Sequence, residues 1–214
     1  MNIALIGASG FVGTPLLAEL LARGHHVTVL ARNPAKLTPQ DGLRVVAGSA
    51  LDAAQVASAV AQHDAVISAY NPGWGEANLY EITMQGYAAI VAGVKQAGVK
   101  RFLQVGGAGS LYVSPGVQLV DTPNFPKEYL QAALAMREVL TRIEAETTLD
   151  WTLLSPPIAL IPGERSGQYR LGANEVMPGN GDVPASISVA DLAVALVDEL
   201  ETPRHVRQRF TVAN

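Results

Sequence analysis

The sequence predicts one α/β domain spanning residues 1–214, built on a doubly wound parallel sheet of about seven strands with helices on both faces. Three observations favour this class. Short apolar runs alternate with segments of helical periodicity along the chain. A glycine-rich turn joins the first apolar run to the first helical segment and places that strand near the middle of the sheet. The length of 214 residues allows one domain with a sizeable core.

The elements are predicted in a regular order, each from its own pattern. Strands are runs of mostly apolar residues, which we expect at 2–6, 26–31, 43–47, 64–69, 100–105, 150–154 and 208–212. Helices carry apolar stripes at the helical period, which we expect from 12 onwards and at 53–61, 81–97, 128–147 and 188–200. Asp52 and Ser188 are predicted N-caps. Three loops, at about 70–80, 106–128 and 155–184, are expected on the substrate side.

The first turn has three glycines at intervals of three residues, between a strand and a helix. The first glycine permits the tight turn, the second lets the backbone approach a pyrophosphate, and the third lets the helix pack against its strand. Free amides at the helix N-terminus and the helix dipole also favour an anion. A dinucleotide is therefore expected on Gly7, Ala8, Ser9, Gly10, Phe11, Val12 and Gly13.

The end of the second strand bears on which dinucleotide binds. Proteins that prefer NAD place an acid here for the ribose hydroxyls, but this chain has Arg32 followed by Asn33. An arginine can form charge-assisted hydrogen bonds with a 2′-phosphate. The sequence therefore favours NADP(H) as cofactor, with NAD(H) possible, although Arg32 could also be a solvated arginine at a strand end.

Further cofactor contacts are expected where other strands end, because ligands of such sheets bind outside their carboxyl ends. These contacts are predicted at Ser49, Ala50, Leu51, Ala69, Tyr70, Gly106, Gly107, Ser155, Pro156 and Pro157. Trp74, in the loop after the fourth strand, could stack on a flat substrate or cover the core. The segment from Gly163 to Arg165, with Tyr169, could line an acceptor pocket or be an ordinary loop.

Composition excludes several other functions. The chain has no cysteine, which rules out disulfides and thiolate chemistry, and its four histidines lack ligand spacing, so we expect no metal site. A net charge of -4 argues against a nucleic-acid surface, and Arg204, Arg207 and Arg209 are expected at a solvated edge. No apolar run approaches the length of about 20 residues that spans a membrane, so a cytoplasmic protein is expected.

The usual acid–base pair of short-chain dehydrogenases is absent, because no tyrosine has a lysine four residues later. The G-x-x-G-x-x-G spacing nevertheless resembles the extended and atypical short-chain dehydrogenase/reductases, including the NmrA-like proteins, which share the Rossmann-type sheet. The whole chain, through IGASGFVG, GVKRFLQVGGAGSLY, LDWTLLSPP and PGERSGQYRLG, is similar to the proposed bacterial NADH-flavin reductases and, more distantly, to the biliverdin IXβ reductase (flavin reductase) family.

This resemblance implies NAD(P)H-dependent reduction of flavins, quinones or similar planar acceptors, with the flavin as a substrate and not a bound prosthetic group. A flavin accepts hydride and can take its proton from water, so it needs little acid–base help. Ser110 and Tyr112 are the predicted catalytic residues, and Ser155 would contact the cofactor carboxamide. The histidine that follows the proline pair in the biliverdin reductase is Ile158 here, and its serine after the fifth strand falls on Gly107.

Three functions stay open from the sequence. The first is a flavin or quinone reductase, and the second is an NADP-binding redox sensor of the NmrA type without turnover. The third is a sugar-nucleotide epimerase or dehydratase, which the absent tyrosine–lysine pair disfavours. In each case we expect a small-molecule ligand, no nucleic-acid or membrane partner, and a monomer or homodimer.

Overall fold

An eight-stranded sheet organises the computed structural model, which describes residues 1–181 and 183–214. The strands are β1 (Asn2–Ile6), β2 (His26–Ala31), β3 (Leu43–Ala47), β4 (Ala65–Ser68), β5 (Arg101–Val105), β6 (Tyr112–Ser114), β7 (Val117–Gln118), β8 (Asp150–Ser155), β9 (Ala159–Ile161), β10 (Arg170–Gly172), β11 (Ser186–Ser188) and β12 (Gln208–Ala213). The helices are α1 (Gly13–Ala22), α2 (Ala53–Val60), α3 (Leu79–Gln96), α4 (Leu130–Glu144) and α5 (Val189–Glu201).

The strand order in the main sheet is β10-β12-β8-β5-β4-β1-β2-β3. All neighbours are parallel except β10, which pairs antiparallel with β12. The glycine-rich turn follows β1, which lies inside the sheet between β4 and β2. The predicted Rossmann-type doubly wound fold is confirmed.

Two apolar cores cover the two faces of the sheet. Helices α1 and α5 pack on one face, where Leu16 and Leu196 are fully buried. Helices α2, α3 and α4 pack on the other, where Val56, Ile90 and Ile143 are almost completely buried. Because the inner strands are covered on both sides, they contain continuous apolar runs, such as residues 3–6 in β1 and 65–67 in β4.

The structure differs from the sequence prediction mainly in the second half of the chain. The sheet has an eighth strand, β10, which the pattern missed because its three residues, RLG, are too few to show an alternation. The loop predicted at about 106–128 contains the β6–β7 hairpin. Helix α3 begins two residues earlier than predicted, and α4 begins at Leu130 after a short 3-10 turn at Lys127–Tyr129.

The parallel strands end at one common edge, which we call the carboxyl edge. The glycine turn after β1, the loop after β4 and the glycine-rich segment after β5 all start there, as does the proline pair after β8. The fold therefore brings the glycine turn and the proline pair, which are separated by about 150 positions in the sequence, to the same edge of the sheet.

Candidate functional site

The glycine turn is held in a shape that only glycine permits at two of its positions. Gly7 has a φ of +90°, and a Cβ there would lie 2.3 Å from the carbonyl oxygen of Ala69 at the end of β4. A Cβ on Gly13 would lie 1.9 Å from the carbonyl oxygen of Gly7. These contacts press the start of α1 against β1 and the β1 turn against β4, which fits the structural roles expected of the first and third glycines.

Gly10, in contrast, faces an open side of the turn. A Cβ there would meet only the carbonyl oxygen of Gly7, at 3.3 Å. The amides of Ser9, Phe11 and Val12 donate no hydrogen bond to any group in the described part of the chain, and no side chain caps α1. Unpaired amides at the positive end of a helix bind an anion, so this turn fits the pyrophosphate of a dinucleotide.

Arg32 lies at the end of β2, beside the glycine turn. Its side chain is exposed and makes no ion pair or hydrogen bond within the described residues. Burial raises the pKa of the Tyr70 hydroxyl, and the positive charge of Arg32 partly opposes this rise. The charge of Arg32 therefore acts at the end of β4. Tyr70 itself packs on α3, where a Cβ on Gly86 would lie 2.2 Å from the Tyr70 ring. Arg32 is thus a cation without a protein partner at the strand end where a 2′-phosphate is expected.

The other predicted cofactor residues also lie at the carboxyl edge. Ser49, Ala50 and Leu51 follow β3, and Ala69 and Tyr70 follow β4. Gly106 and Gly107 follow β5, and Ser155 with Pro156 and Pro157 ends β8. The structure therefore brings the predicted set to one edge, while their individual contacts with a cofactor stay predictions.

Ser155 carries a buried hydroxyl with no hydrogen-bond partner among the described groups. Thr211, its register partner on β12, has a second such hydroxyl. Buried hydroxyls are almost always paired, so an unpaired one at a ligand edge is a site for a polar group. This observation fits the carboxamide contact predicted for Ser155.

Ser110, a predicted catalytic residue, is 2% exposed and already engaged. Nη1 of Arg209 donates to the Ser110 carbonyl at 2.9 Å and to its Oγ at 3.1 Å. Tyr112, the other candidate, is half-buried, and its backbone is bonded to Asn174 and Val176. The Arg209 guanidinium lies 6.0 Å from the Tyr112 ring centre. These contacts describe a structural role for Ser110, and both catalytic roles stay predictions.

The expectation of a solvated Arg209 was wrong. Arg209 is 8% exposed, and its Nε and Nη2 donate to the side chain and backbone of Asn174. Burial lowers the pKa of its guanidinium. The reason is that loop residues cover its side chain: Ser110 and the Tyr112 ring come from the segment after β5, and Asn174 comes from the segment after β10. Sequence reasoning missed the role of Arg209 because its partners lie 35 and 99 residues away.

The segment after β9 is tied to helices α1 and α5, and Tyr169 at its end lines a cavity beside the last turns of α5, together with Asp198 and His205. Arg165 donates to both oxygens of the buried Glu19 in α1, at 2.7 and 2.9 Å. The Asp191 carboxylate in α5 accepts from the amides of Ser166 and Gly167, at 2.8 and 2.7 Å, and from the Ser166 hydroxyl. We call residues 163–169 the strap, and this arrangement favours the ordinary-loop interpretation of it.

The hydrogen bonds of the strap lower the pKa values of both carboxyl groups that hold it. Hydrogen bonds from Arg165 and Arg23 hold the pKa of Glu19 below its ordinary value. Burial raises the pKa of Asp191, but the hydrogen bonds from Ser166 and Gly167 outweigh it, so this pKa is also lowered. The Asp191 carboxylate holds the strap, while Ser188, the predicted N-cap, accepts a hydrogen bond from the Asp191 amide at the start of α5.

Residues 1–181 and 183–214, the described part of the chain, contain no helix whose length and hydropathy would let it cross a bilayer. They also contain no group of three or more histidine or acidic side chains placed to hold a metal ion.

Comparisons with known proteins agree with this geometry. The model of a family described as NAD(P)H-binding matches residues 7–203. A solved structure from Bacteroides thetaiotaomicron, named a "putative epimerase", is 42% identical with a TM-score of 0.92, covering 99% of this chain and 96% of its own. A "putative NADH-flavin reductase" from Streptococcus pneumoniae is 30% identical with a TM-score of 0.84, covering 100% of this chain and 99% of its own.

A third solved structure bears on the predicted cellular location of the protein. It comes from Burkholderia pseudomallei, is named a "putative exported protein", and is 42% identical with a TM-score of 0.88 over 100% of both chains. A relative with that name gives no support to a cytoplasmic location, which stays a prediction for this chain.

Proposed function

Because the chain belongs to the NAD(P)H-binding family, we propose that it is an NAD(P)H-dependent reductase that passes hydride to a flavin, a quinone or a similar planar acceptor. The observation that carries this proposal is the whole-length similarity to the streptococcal structure named a NADH-flavin reductase. The absence of a tyrosine–lysine pair supports an acceptor of this kind, since a flavin needs no protein acid–base pair at the reacting atom.

In this proposal the residues of the chain bind the cofactor and orient it toward the acceptor. The amides of Ser9, Phe11 and Val12 hold the pyrophosphate, and Arg32 holds the 2′-phosphate, which makes NADPH the preferred cofactor. Ser155 takes the carboxamide and so fixes which face of the nicotinamide meets the acceptor. When bound, the reduced cofactor supplies a hydride, and a flavin that accepts it at a ring nitrogen takes one proton from water. The alignment of the nicotinamide with the acceptor ring then accounts for most of the rate acceleration.

Anaerobic turnover with purified protein tests the proposal. NADPH is mixed with FMN or with a quinone, and the loss of NADPH absorbance is compared with the bleaching of FMN. We expect one NADPH consumed for each FMN reduced, at a rate that rises with protein concentration. A Gly10→Ala variant, which we expect to fold but to bind cofactor weakly, is the matched control. Rates equal to the protein-free background across the acceptor panel would refute the reductase.

A second candidate is a redox sensor that binds NADP without turnover. The burial of Ser110 is consistent with this candidate, because its carbonyl and its Oγ each accept a bond from Arg209 and this predicted catalytic residue has a structural role. Tight NADP(H) binding without turnover, together with a protein partner captured only when cofactor is present, would support it. Conversion of a sugar nucleotide would instead support an epimerase, the name carried by the Bacteroides structure.

A further inference from the structure

Exposed aromatic rings are concentrated at the carboxyl edge. The chain has four phenylalanines, two tryptophans and six tyrosines, and only three of these twelve rings belong to residues that are half exposed or more. They are Phe11 (53%), Trp74 (63%) and Tyr129 (50%). Phe11 lies in the glycine turn, and Trp74 lies in the loop after β4. Tyr129 is the last residue before α4.

Trp74 and Tyr129 contact each other across two segments. Their ring centres are 5.5 Å apart and their planes meet at 76°, an edge-to-face arrangement. We call this pair the aromatic platform. It joins the loop that begins beside Gly7 to the helix whose Ala133 and Met136 lie against the glycine-rich segment after β5. The platform therefore connects a loop that begins beside the expected pyrophosphate turn with a helix that packs on the expected nicotinamide end.

An edge-to-face pair covers at most one face of each ring. Trp74 is 63% exposed, so most of its surface is uncovered in spite of the contact with Tyr129. A large uncovered aromatic surface is unfavourable in water and is typical of a binding surface. The second tryptophan shows the contrast, since Trp151 is 3% exposed and its Nε1 donates to the Glu146 carbonyl.

We propose that the aromatic platform, with Trp74 as its main contact, binds the ring system of the acceptor by stacking. This inference rests on the proposed reductase function and deepens it, because it selects planar aromatic acceptors over small polar ones. A flat ring stacked on Trp74 buries apolar area on both partners and leaves its opposite face free to receive hydride from the nicotinamide. The occupant is a flavin-type or quinone-type ring, and a protein partner on this surface is the outcome that would contradict us.

Tryptophan fluorescence provides a test that needs no turnover. Because Trp151 is buried, FMN bound at the platform should quench mainly Trp74. FMN is titrated into the full chain saturated with NADP⁺, and a Trp74→Phe variant corrects for absorption by FMN and for Trp151. We expect saturable quenching that exceeds that of Trp74→Phe. Quenching no greater than in that variant overturns the inference.

Binding by calorimetry and steady-state kinetics give the second readout. We expect Trp74→Ala to weaken FMN binding and to raise its KM about three- to tenfold, with Trp74→Phe within about twofold of wild type. The Kd for NADPH should not change. Leu171→Ala, which trims an exposed apolar residue on β10, is the matched control and should leave FMN binding unchanged.

The outcomes separate the two proposals. Turnover that is insensitive to Trp74→Ala overturns the platform and leaves the reductase standing. Absent turnover refutes the reductase, while FMN binding that is lost in Trp74→Ala still supports the platform. A Trp74→Ala variant that changes self-association and leaves FMN binding intact shows that the surface is a protein interface and overturns the inference.

Discussion

Gly10→Ala separates the binding role of the glycine turn from its folding role. The added Cβ meets only the Gly7 carbonyl oxygen, at 3.3 Å, and the backbone there has no positive φ. We therefore expect a folded protein whose free energy of unfolding changes by less than about 1 kcal/mol. The methyl group would, however, stand where the backbone approaches the pyrophosphate.

The expected loss of affinity follows from the hydrogen bonds at risk. One amide–phosphate bond, with a charged partner, contributes about 1.5–3 kcal/mol. Losing one such bond weakens NADPH binding about tenfold to a hundredfold. Calorimetric titration of wild type and Gly10→Ala with NADPH measures this change, and thermal unfolding without cofactor measures the stability.

Gly13→Ala is the contrasting variant. Its Cβ would lie 1.9 Å from the Gly7 carbonyl oxygen, so α1 must move by about 1.1 Å to restore the 3.0 Å that real contacts keep. Such overpacking costs about 1–3 kcal/mol, which lowers Tm by about 2–12 °C in a chain of this size. Equal Tm losses in both variants, with unchanged NADPH affinity in Gly10→Ala, would refute our account of the turn.

Three further outcomes are expected. Arg32→Asp should weaken NADPH binding at least tenfold and NADH binding far less, as measured by calorimetry, and equal losses would refute the NADPH preference. Arg209→Met should lower the free energy of unfolding by about 1–3 kcal/mol in urea denaturation, because the Ser110 groups lose their buried partner, and an unchanged midpoint would contradict this role. The pKa of Glu19 is lowered by its bonds from Arg165 and Arg23, so its contribution is present above the unfolded pKa of about 4.3 and is lost as pH falls below it. Between pH 7 and pH 3 the free energy of unfolding should therefore fall less in Glu19→Gln than in wild type. An identical dependence on pH in the two proteins would contradict the stabilising role of the Glu19 carboxylate.

The sequence predicted what depends on local pattern. The run from Asn2 to Ile6, the glycines and the apolar stripe of α1 stand within about 20 residues of each other, so their shared geometry is readable without tertiary information. The same holds for the Asp52 cap, whose carboxylate accepts from the amides of Ala54 and Gln55 two and three residues on.

The missed features depend on contacts between distant residues. Arg165 meets Glu19 across 146 positions, and Arg209 meets Ser110 across 99. An arginine near a chain end looks solvated in any one-dimensional pattern, whereas here the distant residues Ser110 and Asn174 accept its hydrogen bonds in a buried position. The sheet topology allowed us to predict that the site residues lie at the carboxyl ends of the strands. It did not allow us to predict the hydrogen bonds from Arg209 to Ser110.

The strap has a consequence for how such a chain changes over time. Glu19 and Asp191 tie it to α1 and α5, so one half of the molecule is fixed by carboxylates that accept several bonds each. Among the described residues, the loop between β4 and α3 makes no hydrogen bond to α1 or α5. On the role proposed for Trp74, exchange of residues in this loop would alter the choice of acceptor and leave the strap and its bonds to α1 and α5 intact.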